Sequence, residues 1–210
     1  MTSCNSTSNE SPIDFTPDTF DAILFDCDGT LVNSAPLHFE SFRLALEVQG
    51  AILDEIWYRE RLSLSRVQLI QSFAKQCSSR IDVDTVVTQS EIHFLRLVQH
   101  MQVLPEVAAV VNHYWNIKPM AVVSSGQRLS VLASLDAIRL RHKFDLIIAE
   151  EDVQEHKPSP QPYLTAAKKM NVSPRRCLIF EDTDDGLISA TQAGAMTIDV
   201  RMIAKLYASS

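Results

Sequence analysis

Four short apolar runs, each stopped abruptly by a polar residue, constrain this chain more than any other feature. Ala22-Ile23-Leu24-Phe25 ends at Asp26, and Met120-Ala121-Val122-Val123 ends at Ser124. Leu146-Ile147-Ile148-Ala149 ends at Glu150, and Leu178-Ile179-Phe180 ends at Glu181-Asp182. Met196-Thr197-Ile198-Asp199-Val200 is a weaker fifth. Runs this short, apolar on both faces, read as parallel strands covered on both sides. Helical periods separate them. Val107, Val110, Val111 and Tyr114 follow i, i+3, i+4, i+7 behind Pro105, and Tyr163, Ala166, Ala167 and Met170 do the same behind Pro162. Leu187, Ala190 and Gly194 read as a small-residue face that lets a helix sit close to the sheet. Repeated strand–helix–strand units predict a doubly wound, Rossmann-like α/β core with right-handed crossovers.

One stretch interrupts the alternation. Residues 37–100 show helices and no convincing strand. One helix is expected to start at Ser34 as N-cap, with Pro36 in its first turn, and to end before Gly50. A second covers Ser65 to Lys75, and a third runs from Val83 to His100 with Val83, Val87, Phe94 and Val98 on one face. The expected organisation is a disordered tail over 1–18, an α/β core over 19–36 and 101–210, and an inserted helical cap over 37–100.

Composition narrows the function classes. With 210 residues, 46% hydrophobic, the chain can bury a full core without disulfides or a structural metal. No apolar run approaches the ~20 residues that span a bilayer. A net charge of −7 argues against a nucleic-acid partner, which asks for a basic face. Cys4, Cys27, Cys77 and Cys177 form no C-x-x-C pair, and the polar start lacks the pattern of a signal peptide, so reduced thiols and a cytoplasmic setting are expected. Glycine is scarce, five in all, about a third of ordinary usage. Gly29, Gly126 and Gly186 each directly follow the polar end of a strand.

Ligands of open α/β sheets bind outside the carboxyl ends of the strands. This chain delivers Asp26-Cys27-Asp28-Gly29-Thr30, Ser124-Ser125-Gly126, His156-Lys157-Pro158 and Glu181-Asp182-Thr183-Asp184-Asp185-Gly186 to that edge. So many carboxylates repel one another unless a cation sits among them. Oxygen donors without a His or Cys set suit Mg²⁺. A cation beside a lysine, a serine and backbone N–H groups suits a phosphate. Taken singly, each motif has a plainer reading: Asp-Gly favours turns, Ser124 could cap a helix, and Lys157 could be solvated.

Asp26-Cys27-Asp28-Gly29-Thr30-Leu31-Val32, Val122-Val123-Ser124-Ser125-Gly126, Lys157-Pro158-Ser159-Pro160 and Glu181-Asp182-Thr183-Asp184-Asp185-Gly186 together resemble the four ordered motifs of the haloacid dehalogenase superfamily. The helical insertion resembles the cap of its β-phosphoglucomutase-like branch. The surroundings of His156-Lys157-Pro158, the Glu181 motif and Asp199-Val200-Arg201 resemble the fructose-1-phosphate phosphatases of that branch.

The resemblance implies roles. Asp26 becomes the nucleophile that forms an aspartyl-phosphate, and Asp28 the general acid and base. Mg²⁺ falls to Asp26, the Asp28 carbonyl, Asp182 and Glu181. Lys157, Ser124 and the Ser125 N–H meet the phosphate. His38, at the start of the cap, and Arg66, in a Ser65-Arg66 pair, are candidates to reach the site or substrate, while Arg59 and Arg61 read as solvated. Cys27 should point away from the metal by strand alternation. Asp184 or Asp185 should cap the next helix or bond the loop. Asn33 stands where the branch has an acid, Gln161 replaces a common acidic residue, and no glycine occurs at Leu62 to Leu64. The expectation is a monomeric Mg²⁺-dependent phosphatase of small phosphorylated metabolites, sugar phosphates above all. A β-phosphoglucomutase-type mutase is the rival, and a non-catalytic phospho-accepting binding module the rival of another class.

Overall fold

The computed structural model describes residues 17–62, 64–77 and 80–203. Residues 1–16 of the expected tail over 1–18, and the frayed end over 205–210, lie outside the described residues, while Pro17–Thr19 form a 3-10 turn. Five parallel strands form the sheet: β1 (Ala22–Phe25), β4 (Met120–Val123), β5 (Leu146–Ile148), β6 (Cys177–Glu181) and β7 (Met196–Asp199), in the order β5-β4-β1-β6-β7. Two-residue strands β2 (Val32–Asn33) and β3 (Gln102–Val103) pair antiparallel beside it.

Period-2 alternation divides each central strand between two cores. Ile23 and Phe25, Met120 and Val122, and Leu178 and Phe180 enter one cluster with Val107, Val110 and Val111 of α5 (Pro105–Tyr114). Ala22 and Leu24, Ala121 and Val123, and Cys177 and Ile179 enter the other, with Tyr163, Ala166 and Ala167 of α7 (Gln161–Lys169) and Ala190 of α8 (Asp184–Gln192). The second face is rich in alanine, so its helices lie close to the sheet.

The small face of α8 is Gly186, Ser189 and Ala190, and Gly194 is not part of it. Gly194 has φ +82°, and its N–H bonds to the Thr191 carbonyl, so it ends the helix instead of lining it.

Helices α1 (Ala35–Glu47), α2 (Glu55–Arg59), α3 (Arg66–Gln76) and α4 (Val83–Leu97) fall between β2 and β3. They share an apolar cluster that includes Phe42, Leu46, Tyr58, Leu69, Ile70 and Val86. Phe94 of α4 belongs instead to the cluster under the sheet, tying the insertion to the strands. Ser65 caps α3 with a full capping box through Gln68. Ser34 precedes α1 as expected but makes no side-chain cap bond. The five-residue α2 starts at Asp54, whose carboxylate accepts from Trp57 N–H. Neither α2 nor the β2/β3 ribbon is long enough to show a period in sequence.

Parallel pairing brings the strand ends level: Phe25 lies opposite Val122 on one side and Phe180 on the other. Asp26, Ser124 and Glu181 therefore leave or end their strands along one edge. The first helix after β4, α6 (Arg128–Ala137), begins just beyond Ser124-Ser125-Gly126.

Candidate active site

Asp26 is buried at the end of β1, with its N–H on the Phe180 carbonyl at 3.0 Å. Lys157 reaches it from the loop after β5. The Lys157 Nζ lies 2.6 Å from Asp26 Oδ1, 2.5 Å from Glu181 Oε1 and 3.0 Å from the Val123 carbonyl, spending its three protons. Its side chain is 6% exposed. Burial alone would lower the Lys157 ammonium, but the Asp26 and Glu181 carboxylates hold it well above the usual lysine range. Burial likewise pushes the Asp26 carboxyl up, against the pull of Lys157. Gln161 steadies the lysine's loop by accepting from the Gln154 and Glu155 N–H groups.

Glu181 is fully buried and already busy. Its Oε1 accepts from Lys157 and from the Tyr163 hydroxyl at 2.7 Å. Its Oε2 accepts from the Asp182 and Thr183 N–H groups and from Thr183 Oγ1. Although burial opposes its charge, Lys157 and these donors keep it below the usual range. A Cβ on Gly186 would overlap this carboxylate, so glycine is the residue that lets α8 begin there. Thr183 caps α8, accepting from Gly186 N–H. The cap is therefore neither Asp184 nor Asp185, which are exposed; Asp184 instead pairs with Arg201 at 2.9 Å.

Asp182 accepts from buried Thr30 at 3.2 Å, and its carboxyl is pushed up to about 6 by burial and by the charge of Glu181. Carboxylate oxygens of Asp26, Glu181 and Asp182 lie within 4.8 Å of one another. All-oxygen donors, crowded and partly desolvated, fit a hard divalent cation.

Asp28 faces the helical insertion. Its Oδ1 is buried without a hydrogen-bond partner, and His38 Nε2 stands 3.5 Å away. Burial would raise this carboxyl, yet His38, Ser34 and Arg66 together hold it below the usual range. His38 stacks on Phe94 at 4.3 Å between centroids. Arg66 closes the set: it donates to Ser90 Oγ at 2.8 Å and approaches His38 Nδ1 at 3.4 Å. Arg59 and Arg61 stay outside, Arg59 on Glu55 and Arg61 over the Trp57 ring. Ser124 is buried, its Oγ accepting from Gly126 N–H, so it closes its own turn and caps no helix; Ser125 is exposed at the same turn. Cys27 packs in the apolar cluster away from these groups.

The expected residues thus assemble on one edge. Sequence reasoning missed Tyr163, Thr30 and Thr183. Tyr163 sits at an ordinary core position of a helical period, so nothing local marks its hydroxyl as the partner of Glu181.

The family model of the haloacid dehalogenase-like hydrolases matches residues 23–200, which include every element of this edge. The chain belongs to that family. Among curated haloacid dehalogenase-like relatives, fructose-1-phosphate phosphatase YqaB of Escherichia coli (strain K12) is 31% identical over 86% of this chain and 96% of its own length. A phosphorylated carbohydrates phosphatase of Thermotoga maritima is 24% identical over 83% and 82%. Among solved structures, CbbY from Rhodobacter sphaeroides in complex with xylulose-(1,5)bisphosphate is 26% identical over 86% of each chain, with a TM-score of 0.76. The haloacid dehalogenase-like fold of this chain, a parallel five-stranded sheet flanked by helices, agrees with these neighbours. No described helix is long and apolar enough to cross a membrane.

Proposed function

We propose that this hydrolase is a Mg²⁺-dependent phosphatase of small phosphate monoesters, sugar phosphates in particular, working through an aspartyl-phosphate. The observation that carries the reading is the division of labour between two carboxylates two residues apart. Asp26 is clamped through Oδ1 by Lys157, while Asp28 turns its carboxylate toward the insertion, with Oδ1 3.5 Å from His38 Nε2. Two roles call for two environments.

Asp26 attacks phosphorus with Oδ2, the oxygen Lys157 leaves free. The P–O bond to Asp26 forms as the bond to the ester oxygen breaks, and Asp28, which takes up a proton from solvent before this step, gives it to that oxygen, releasing the alcohol. Asp28 then takes a proton from water as the water attacks the acyl-phosphate. The Asp26–phosphorus link breaks, returning Asp26 as carboxylate and freeing inorganic phosphate. Lys157 holds Asp26 in place and offsets charge on the phosphoryl group, and Ser124 with the Ser125 N–H binds its oxygens.

Asp26, Asp182 and the Asp28 carbonyl are the groups we assign to the cation. Glu181, expected beside them, takes part through its charge and by holding Lys157 and the Asp182-Thr183 backbone, since its own acceptors are occupied. When bound, Mg²⁺ offsets the crowded carboxylates and polarises the phosphoryl oxygens. We further propose that α1–α4 form a cap over this edge. A signalling receiver is disfavoured because Asp28 would hasten loss of the acyl-phosphate that such a module must keep.

Phosphate release from a panel of sugar phosphates, with Mg²⁺ and then with chelator, tests this reading. Turnover that stops on chelation supports it; no turnover on any member overturns it.

A further inference from the structure

All three protons of the Lys157 ammonium are engaged: by Asp26 Oδ1 at 2.6 Å, by Glu181 Oε1 at 2.5 Å and by the Val123 carbonyl at 3.0 Å. A phosphoryl oxygen that takes a proton from this ammonium must therefore displace one of the three. Asp26, Val123 and Glu181 are all buried. A buried acceptor left without a donor costs free energy, most of all when it is charged.

Among the described residues, Glu181 Oε1 is the acceptor of the three that has a second donor. Tyr163, in the first turn of α7, is 1% exposed, and its hydroxyl donates to that oxygen at 2.7 Å. Asp26 Oδ1 and the Val123 carbonyl have Lys157 as their donor. Releasing Asp26 would also loosen the nucleophile. Glu181 loses least, because Oε2 keeps the Asp182 and Thr183 N–H groups and Thr183 Oγ1 while Oε1 keeps Tyr163. The Tyr163 ring, packed with Ala166 and Ala167, lies with its centroid 5.1 Å from Lys157 Nζ, so it attracts the ammonium without using a proton. Packing alone would be served by phenylalanine. We infer that Tyr163 is a positioning residue: its hydroxyl holds Glu181 while Lys157 gives up that carboxylate for a phosphoryl oxygen. No covalent bond changes in this step; one hydrogen bond of Lys157 is exchanged for another. The inference rests on the phosphatase reading above.

Tyr163→Phe keeps the ring and removes the second donor. Without a ligand Lys157 stays on Glu181, so the variant should melt close to the wild type. With a phosphoryl group bound, either Glu181 Oε1 loses its donors or Lys157 fails to turn. Calorimetric titration with inorganic phosphate in the presence of Mg²⁺ should therefore give a Kd raised by about tenfold. KM for a sugar phosphate that the wild type hydrolyses should rise by about the same factor, with kcat within about threefold of the wild type. A folded variant whose phosphate Kd and KM match those of the wild type overturns the inference alone, whatever its melting temperature, because a hydroxyl with a merely structural role lowers stability and leaves phosphate binding unchanged. A fall in kcat at unchanged phosphate Kd overturns it as well. A wild type that releases phosphate from no sugar phosphate overturns the phosphatase reading and this inference with it.

Discussion

A methyl group on Gly29 would overlap the Asp182 carboxylate. Gly29 also holds φ +86°, a left-handed conformation that other residues adopt at a cost. The turn after β1 and the loop after β6 can meet only through this hydrogen-sized gap. Gly29→Ala is therefore expected to displace Asp182 and to lower phosphate release by at least about a hundredfold, with a stability loss of more than about 1 kcal/mol. Activity assays paired with urea unfolding check both. A variant with wild-type turnover would show that the position of Asp182 is not critical.

The two aspartates should fail differently. Asp26→Asn removes the nucleophile, and kcat should fall by about 10³-fold or more, with no phosphoryl-enzyme trapped on acid quench. Asp28→Asn keeps the nucleophile but loses the proton donor, so kcat should fall by about 10²- to 10⁴-fold. The loss should be smaller for an ester with an acidic leaving group such as p-nitrophenyl phosphate, which needs no proton to depart. Equal losses on both kinds of ester would remove Asp28 from the acid role.

Lys157 neutralises two carboxylates in a site that water scarcely reaches. Truncating it leaves Asp26 and Glu181 facing each other unpaired, and breaking such a buried set costs about 3–5 kcal/mol. Lys157→Met should lower the urea midpoint accordingly and abolish turnover. Adding Glu181→Gln to it should restore part of the stability and none of the activity, since the repulsion is relieved while the cation stays missing. A single variant as stable as the wild type would mean that the pair contributes no net stability.

What could be read from the residues follows from how local the signals are. The strands were legible because a buried parallel strand must be apolar on both faces, and Ala22–Phe25 and Met120–Val123 begin and end where their apolar runs do. The site was legible because strand ends converge by topology, so Asp26, Ser124 and Glu181 needed no side-chain geometry to be placed together. Thr183 escaped notice as the cap because three neighbouring residues can all cap a helix, and Glu181 settles the choice by engaging Thr183 Oγ1. Gly194 was misread because a helix-ending glycine and a packing glycine look alike in a period. Tyr163 with Glu181 joins distant stretches of chain, and no local pattern encodes such a partner.

The cysteines offer a probe of packing. Cys27 is fully buried, and burial with the nearby Asp28 and Asp26 charges pushes its thiol well above the usual range. Burial and Asp21 push the Cys177 thiol up to about 11. Cys77, at the end of α3, is only half-buried. Since the thiolate is the reactive form, iodoacetamide at pH 8 should label Cys77 in the native protein and spare Cys27 and Cys177, with all three labelled in urea. Peptide mass spectrometry reads the outcome. Native labelling of Cys27 would contradict its packing beneath the nucleophile.

Acid should weaken the fold at a surface pair. Arg176 grips Asp21 at 2.9 and 2.6 Å, beside a backbone bond that ties the start of β1 to the start of β6. The guanidinium holds the Asp21 carboxyl below its ordinary value. In the unfolded chain that carboxyl titrates near ~3.9. A lowered native value means that the unfolded state binds the proton first, so the stabilisation is complete above about pH 5 and drains away as pH falls through the native value. Asp21→Asn should therefore be less stable than the wild type at pH 6, with the gap closing below about pH 3. The gap should also shrink in 1 M NaCl, because an exposed pair is screened by salt. Urea midpoints across this range test the pair. A gap that persists unchanged at pH 2.5 would assign the loss to the substituted side chain's packing and not to its charge.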